Sequence, residues 1–223
     1  MKITQKEKAR ANKTKEQVSI LHEQEYKIKE ITISALTANT MAFVFGIILL
    51  IPIFVAYYFK FGYLFRGPEE TLLETLIIAL LFFAMFPVHE LIHGLFMYLF
   101  NGRNKNLIEF GIMSGNPYCT CQSPINKLQY VIIMLMPNIV FITLSLVLAF
   151  TFGKVWWLLF VIASVIAGGG DFTITWKLLN ANSKNAKIID HPYKCGFFLL
   201  KKDLETDEYL TIIEEIDNLQ SNG

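Results

Sequence analysis

Four apolar stretches, each long enough to cross a bilayer, take up close to half of this 223-residue chain. Within them, the only side chains that ordinarily carry charge are His89, Glu90, His93 and Asp171. An ionisable group at the bilayer centre costs on the order of 2.5–3.5 kcal/mol even on a lenient scale, so four of them in hydrocarbon call for a common partner. A divalent metal is the simplest one. Three of the four spell HExxH, so the pattern that places the chain in a membrane also places chemistry inside it.

Composition supports the membrane. Hydrophobic residues are 53% of the chain and its mean hydropathy is +0.42, above the roughly 45–50% apolar usage of soluble domains. A net charge of +1 argues against a polyanionic partner such as nucleic acid, and three cysteines make no even-numbered disulfide framework. The charged N-terminus lacks the short apolar core and small-residue cleavage site of a signal peptide, so the first apolar segment is expected to stay as an anchor.

Crossing about 30 Å of hydrocarbon takes roughly 20 helical residues. The expected spans are Ile33 to Phe59, Thr75 to Phe100, Leu128 to Gly153 and Val155 to Trp176. Pro52, Pro87 and Pro137 fall inside the first three, which membrane helices tolerate. With four spans, one side of the membrane holds 17 of the 20 basic residues and the other only Lys60, Arg66 and Lys154. Basic residues are retained in the cytoplasm, so both termini are expected there, in the plasma membrane. Trp156 and Trp157 suit the outer interface.

The expected fold is an all-α polytopic membrane protein of four transmembrane helices. Residues 1–32 read as a charged juxtamembrane helix, solvated or on the membrane surface, 33–180 as the membrane domain and 181–223 as a short α/β cytoplasmic tail that docks on the bundle. Between the second and third spans, Leu107 to Met113 and Tyr118 to Gln122 alternate like strands around Ser114, Gly115, Asn116 and Pro117. That predicts a small cytoplasmic β-hairpin with its turn at Gly115.

His89 and His93 are four apart, so on a helix both rings project from one face and can ligate one ion. Glu90 sits where it reaches a metal-bound water rather than the metal. In such an arrangement two imidazoles hold Zn²⁺, the ion lowers the pKa of its water towards about 7, and the glutamate takes the proton as the water attacks a carbonyl. A catalytic site needs a third protein ligand and an open position. His89 lies 15 residues past Glu74 and Asp171 lies 17 past Lys154, the last charges before their spans. That sets Asp171 level with Glu90 and His93 to within about one helical turn.

Gly168, Gly169 and Gly170 let the fourth span approach its neighbour closely or unwind beside Asp171. Asn138, at similar depth, either donates to a developing oxyanion or bonds the carbonyl freed by Pro137. Asp190 and His191 are the runner-up source of a third ligand, followed by Glu109. Cys119 and Cys121 read as hairpin residues, and nothing singles out His22.

The segment Phe86-Pro87-Val88-His89-Glu90-Leu91-Ile92-His93-Gly94 resembles a family of bacterial membrane zincin peptidases. So do the Met136-Pro137-Asn138 and Gly169-Gly170-Asp171 steps and the Asp190-His191-Pro192 turn with Gly196. More remotely, the order of HExxH helix, hairpin, helix and Asp-bearing helix is similar to the core of site-2 proteases, intramembrane zinc enzymes. That resemblance implies His89, His93 and Asp171 as ligands and Glu90 as base. Site-2 proteases usually have glycine after the aspartate. Here Phe172 follows and the glycines precede, which moves the expected helix break to the other side of the ligand.

The reading is a zinc-dependent intramembrane endopeptidase acting on membrane peptides or transmembrane proteins. The rival is a non-catalytic zinc-binding membrane protein: a sensor, a transport accessory or an immunity-type scaffold.

Overall fold

The computed structural model describes residues 4–64, 72–113, 116–181 and 184–221. The expected turn at Gly115 and Arg66 of the sparsely charged side lie outside them. Among the described residues the chain is mostly helical, with two small antiparallel sheets.

Helix α1 (Gln5–Glu23) starts at a capping box of Thr4 and Glu7, and strand β1 (Lys27–Thr32) leads into α2 (Ala35–Phe61). Helix α3 (Leu72–Phe100) ends in the hairpin of β2 (Ile108–Met113) and β3 (Asn116–Cys121). A two-residue strand, β4 (Ile125–Asn126), opens α4 (Lys127–Phe152). Then come α5 (Trp156–Ala167), α6 (Gly169–Asn180), β5 (Lys187–Asp190), β6 (Gly196–Lys201) and α7 (Tyr209–Ser221).

Helices α2, α3 and α4 are each long and apolar enough to cross a membrane, and their outer faces carry uncovered apolar side chains such as Phe43, Leu80 and Phe83. Water would not tolerate so continuous an apolar surface, whereas lipid demands it. This is the architecture of a multi-pass membrane protein. The fourth expected span is not one rod. It is the pair α5 and α6, bent by 50° at Gly168, and it completes four spans when the pair is counted as one. The break lies N-terminal to Asp171, on the side where the glycines sit.

Helix α4 is central, packing on α3, α5 and α6, while α2 packs on α5 and α6. Gly168 makes the bend compact, since a Cβ there would lie 2.2 Å from Oδ1 of Asn138 on α4. Lys154 at the head of the α5–α6 pair donates to Glu74 at the head of α3, at 2.9 Å. The two reference points of the depth count are thus bonded to each other.

At the opposite end a four-stranded antiparallel sheet, ordered β1-β6-β5-β4, unites segments from far apart in the chain. Its central strand β6 is buried along its whole length. Period-two alternation sends Phe197 and Leu199 against Met97, Tyr130, Ile133 and Leu178 of the bundle. Phe198 and Leu200 face the other way, onto Ala11 and Val18 of α1 and Ile212 and Ile216 of α7.

The tail therefore docks on the bundle, as its small size requires. The N-terminal segment departs from the sequence reading. It is helix plus strand rather than one helix, because β6 offers an apolar second face that α1 and α7 cover. The "α/β tail" is a composite layer that also takes strands from residues 27–32 and 125–126.

Candidate metal centre

On α3, the four-residue spacing puts the His89 and His93 rings together, with their Nε2 atoms 3.2 Å apart. Both side chains are buried. From α6, Asp171 reaches in with Oδ2 at 3.1 Å from Nε2 of His89 and Oδ1 at 3.5 Å from Nε2 of His93. One ligand atom from each of the three residues lies within 4.8 Å of the others, and the group could hold a metal ion.

Proline chemistry supports this geometry. Pro137 has no N–H, so the carbonyl of Ile133, four residues earlier on α4, has no helical partner. Nδ1 of His93 donates to that carbonyl at 2.8 Å. The proton is thereby fixed on Nδ1 and the bare Nε2 lone pair faces His89 and Asp171, the usual way a ligating imidazole is set. Two imidazole nitrogens and a carboxylate oxygen, buried and convergent, form a donor set that fits Zn²⁺ and leaves a position for water.

Asn138 occupies the role that sequence reasoning missed. Its Nδ2 donates to Oδ2 of Asp171 at 3.2 Å and its Oδ1 accepts from the Ser164 hydroxyl at 3.3 Å. It bonds neither the Ile133 carbonyl, which His93 takes, nor open space. It orients the aspartate across the break in the fourth span. The signal for this was the pairing of Asn138 with the glycine that its amide leaves no room to replace.

Glu90 stands one residue beyond His89, and its carboxylate faces the Cys119 N–H of the hairpin. Gly94, one turn along, lets the hairpin lie this close, because a Cβ there would meet the Phe110 ring at 2.2 Å. Two cavities meet at Glu90. One of about 210 Å³ runs past His93 and Asp171 to β3, the turn after β5, and Arg10 of α1. The other, of about 390 Å³, is walled by Phe82 and Phe86 of α3, Ala163 and Ala167 of α5 and Ala38 of α2.

The remaining candidates are engaged elsewhere. Asp190 accepts from the Cys121 N–H at 2.7 Å and from the Tyr130 hydroxyl at 2.5 Å, tying the tail sheet to the hairpin and α4. His191 accepts the N–H groups of Tyr193 and Lys194 at Nδ1, which turns its Nε2–H towards Glu30. Glu109 lies near Lys6 and Arg10, and His22 pairs with Asp207 and stacks on Tyr209. Burial pushes the Cys119 thiol well up and Cys121 up to about 11, and neither is part of the convergent group among the described residues.

Asp190 and His191 titrate in opposition. Burial pushes the Asp190 carboxyl up to about 6 from 3.8, against its two hydrogen bonds. Burial, with the Lys194 ammonium, holds His191 down to about 4 from 6.5. Folded Asp190 keeps a proton that the unfolded chain gives up, so its contribution to stability falls as pH rises from about 4 to 6. Folded His191 refuses a proton that the unfolded chain takes, so its contribution is lost as pH falls from 6.5 to about 4. Each is worth about 3 kcal/mol, and they nearly cancel.

An Asp190→Asn protein is therefore expected to lose melting temperature relative to wild type on acidification through this window, and His191→Asn, which keeps an acceptor for the turn, to gain it. Melting curves between pH 6.5 and 4 check this. Three parallel profiles would contradict it.

No curated protein and no solved structure matches the chain. A family model does: residues 82–185, which carry His89, Glu90, His93, Asn138 and Asp171, match the family described as "Putative zincin peptidase".

Proposed function

We propose that the protein is a zinc-dependent intramembrane endopeptidase that hydrolyses peptide bonds of membrane-associated substrates. The observation that carries this reading is the convergence of His89, His93 and Asp171 beside Glu90 where two cavities meet. His89, His93 and Asp171 would hold the ion, with Asn138 orienting Asp171 and the Ile133 carbonyl orienting His93. When bound, zinc supplies Lewis acidity and makes a water acidic enough to lose a proton near neutral pH.

The chain's own residues supply the rest. Glu90 takes the proton of the attacking water at its carboxylate and passes it to the leaving amine nitrogen. The hairpin orients an extended substrate. The Gln122 N–H bonds inward to the Leu107 carbonyl and the Cys121 N–H outward to Asp190, so by alternation the backbone groups of Cys119 also face away from β2. A substrate strand laid along that edge would be held beside Glu90 through the edge carbonyls, because the Cys119 N–H faces Glu90 and the Cys121 N–H bonds Asp190. Phe82 and Phe86 line the apolar approach, and Asp171 and the histidines lie deeper. The basic end of the bundle, with both termini, is assigned to the cytoplasm in this reading.

The test is cleavage of an epitope-tagged single-span peptide in vesicles by wild-type protein and by Glu90→Gln. Cleavage by wild type alone supports the reading, and equal cleavage by both ends it.

A further inference from the structure

The smaller cavity has an unusual cation in its wall. Arg10 of α1 is 2% exposed, yet it lines the same 210 Å³ space as Glu90, His93 and Asp171. A guanidinium carries five N–H donors. Among the described residues, Arg10 makes one hydrogen bond, from Nη1 to the Tyr118 hydroxyl at 2.6 Å, and its Nε is buried with no partner. Glu109 lies 3.8 Å from Nη1, beyond hydrogen-bond reach, so it offsets charge without satisfying the donors. Leaving donors of a buried charge unmet costs free energy that a ligand can recover.

Other groups on the wall do not compete. Lys194 bonds to Glu30 and Glu215 at 2.9 and 2.7 Å. His191 is uncharged at neutral pH, and Asp190 is held by Tyr130 and Cys121. The cavity is therefore polar in one direction. Its α1 end presents a cation with unmet donors, and its bundle end presents the carboxylates of Glu90 and Asp171. A carboxylate that reaches the α1 end meets guanidinium donors left unmet among the described residues.

We infer that Arg10 is a specificity residue that binds a carboxylate of the substrate, so that the bond placed beside Glu90 lies a short, fixed distance from an acidic group. This rests on the peptidase reading and adds a substrate class to it: peptides ending in a free α-carboxylate, or carrying Asp or Glu near the cut. A planar guanidinium binds a carboxylate through two parallel bonds, which an amide cannot reproduce. A cavity of about 210 Å³ suits a short peptide end.

Binding tests this without turnover. Full-length, zinc-loaded Glu90→Gln protein in detergent is titrated with a dye-labelled apolar tetrapeptide, followed by fluorescence anisotropy. Three forms are used: the free acid, the C-terminal amide, and the amide with glutamate in the last position. The free acid is expected to bind about tenfold tighter than the plain amide, and Arg10→Met to abolish the difference. Tight binding of the glutamate amide as well would assign the carboxylate to side chains, and weak binding would assign it to the chain end. Either supports the inference.

Equal binding of acid and plain amide overturns it, as does a preference that survives Arg10→Met. If Arg10→Met fails to fold, an Arg10→Lys protein with an undiminished preference overturns it, because an ammonium lacks the fork. Zinc content and Glu90-dependent cleavage, measured on matching preparations, report on the peptidase reading separately. If both are intact while acid and amide bind alike, only the Arg10 assignment falls.

Discussion

Glu90→Gln protein is expected to bind zinc at the wild-type level and to lose cleavage by about 10²–10⁴-fold. The substitution keeps the size of the side chain and leaves an oxygen to face the Cys119 N–H, so the hairpin stays seated on α3. None of the three converging ligand atoms belongs to Glu90, so metal content is independent of it. What disappears is a group able to take a proton from water. Zinc per chain by mass spectrometry and cleavage of the tagged peptide in vesicles read the two properties separately. Full metal with full cleavage would remove Glu90 as the base. Full metal in a wild type that cleaves nothing would favour a non-catalytic zinc protein.

The second large effect belongs to Asp171. Its two oxygens lie 3.1 and 3.5 Å from the histidine nitrogens, and no other carboxylate takes part in the convergent group among the described residues. Asp171→Ala protein is expected to purify without zinc, since two imidazoles alone hold the ion weakly. Asn138→Ala keeps all three ligands and loses only the hydrogen bond that orients one of them. Its zinc affinity is expected to fall by about 10–100-fold, the usual cost of losing an orienting partner. Gly168 is untouched in both, so the bend that brings α6 inward has no reason to change. Equal zinc in wild type and Asp171→Ala would withdraw the ligand assignment.

Much of this site was legible in the sequence because helices report depth by counting. Glu74 and Lys154 set the count, and they pair with each other at 2.9 Å, so the two spans start level. The HExxH spacing fixes which rings share a face, and the three glycines announced a break near Asp171. Contacts between helices were not legible. Pro137 shows that the Ile133 carbonyl is free, but only the packing of α3 on α4 makes His93 its partner. The same holds for Asn138, whose neighbours Ser164 and Asp171 come from both halves of the bent span.

The sheet was the least readable part. The alternation in Lys27–Thr32 is short and highly charged, and its partners on β6 lie 164–174 residues away in the chain. Local propensity cannot anticipate such a pairing. It is set by β6 having two apolar faces to bury, one on the bundle and one under α1 and α7.

X-ray absorption at the zinc edge, on purified wild-type protein, reads the ligands of the ion directly. Histidine nitrogens and carboxylate oxygen should appear at about 2.0–2.2 Å with no sulfur in the first shell. A sulfur shell at about 2.3 Å would place the ion on Cys119 or Cys121 and contradict the assignment of His89, His93 and Asp171.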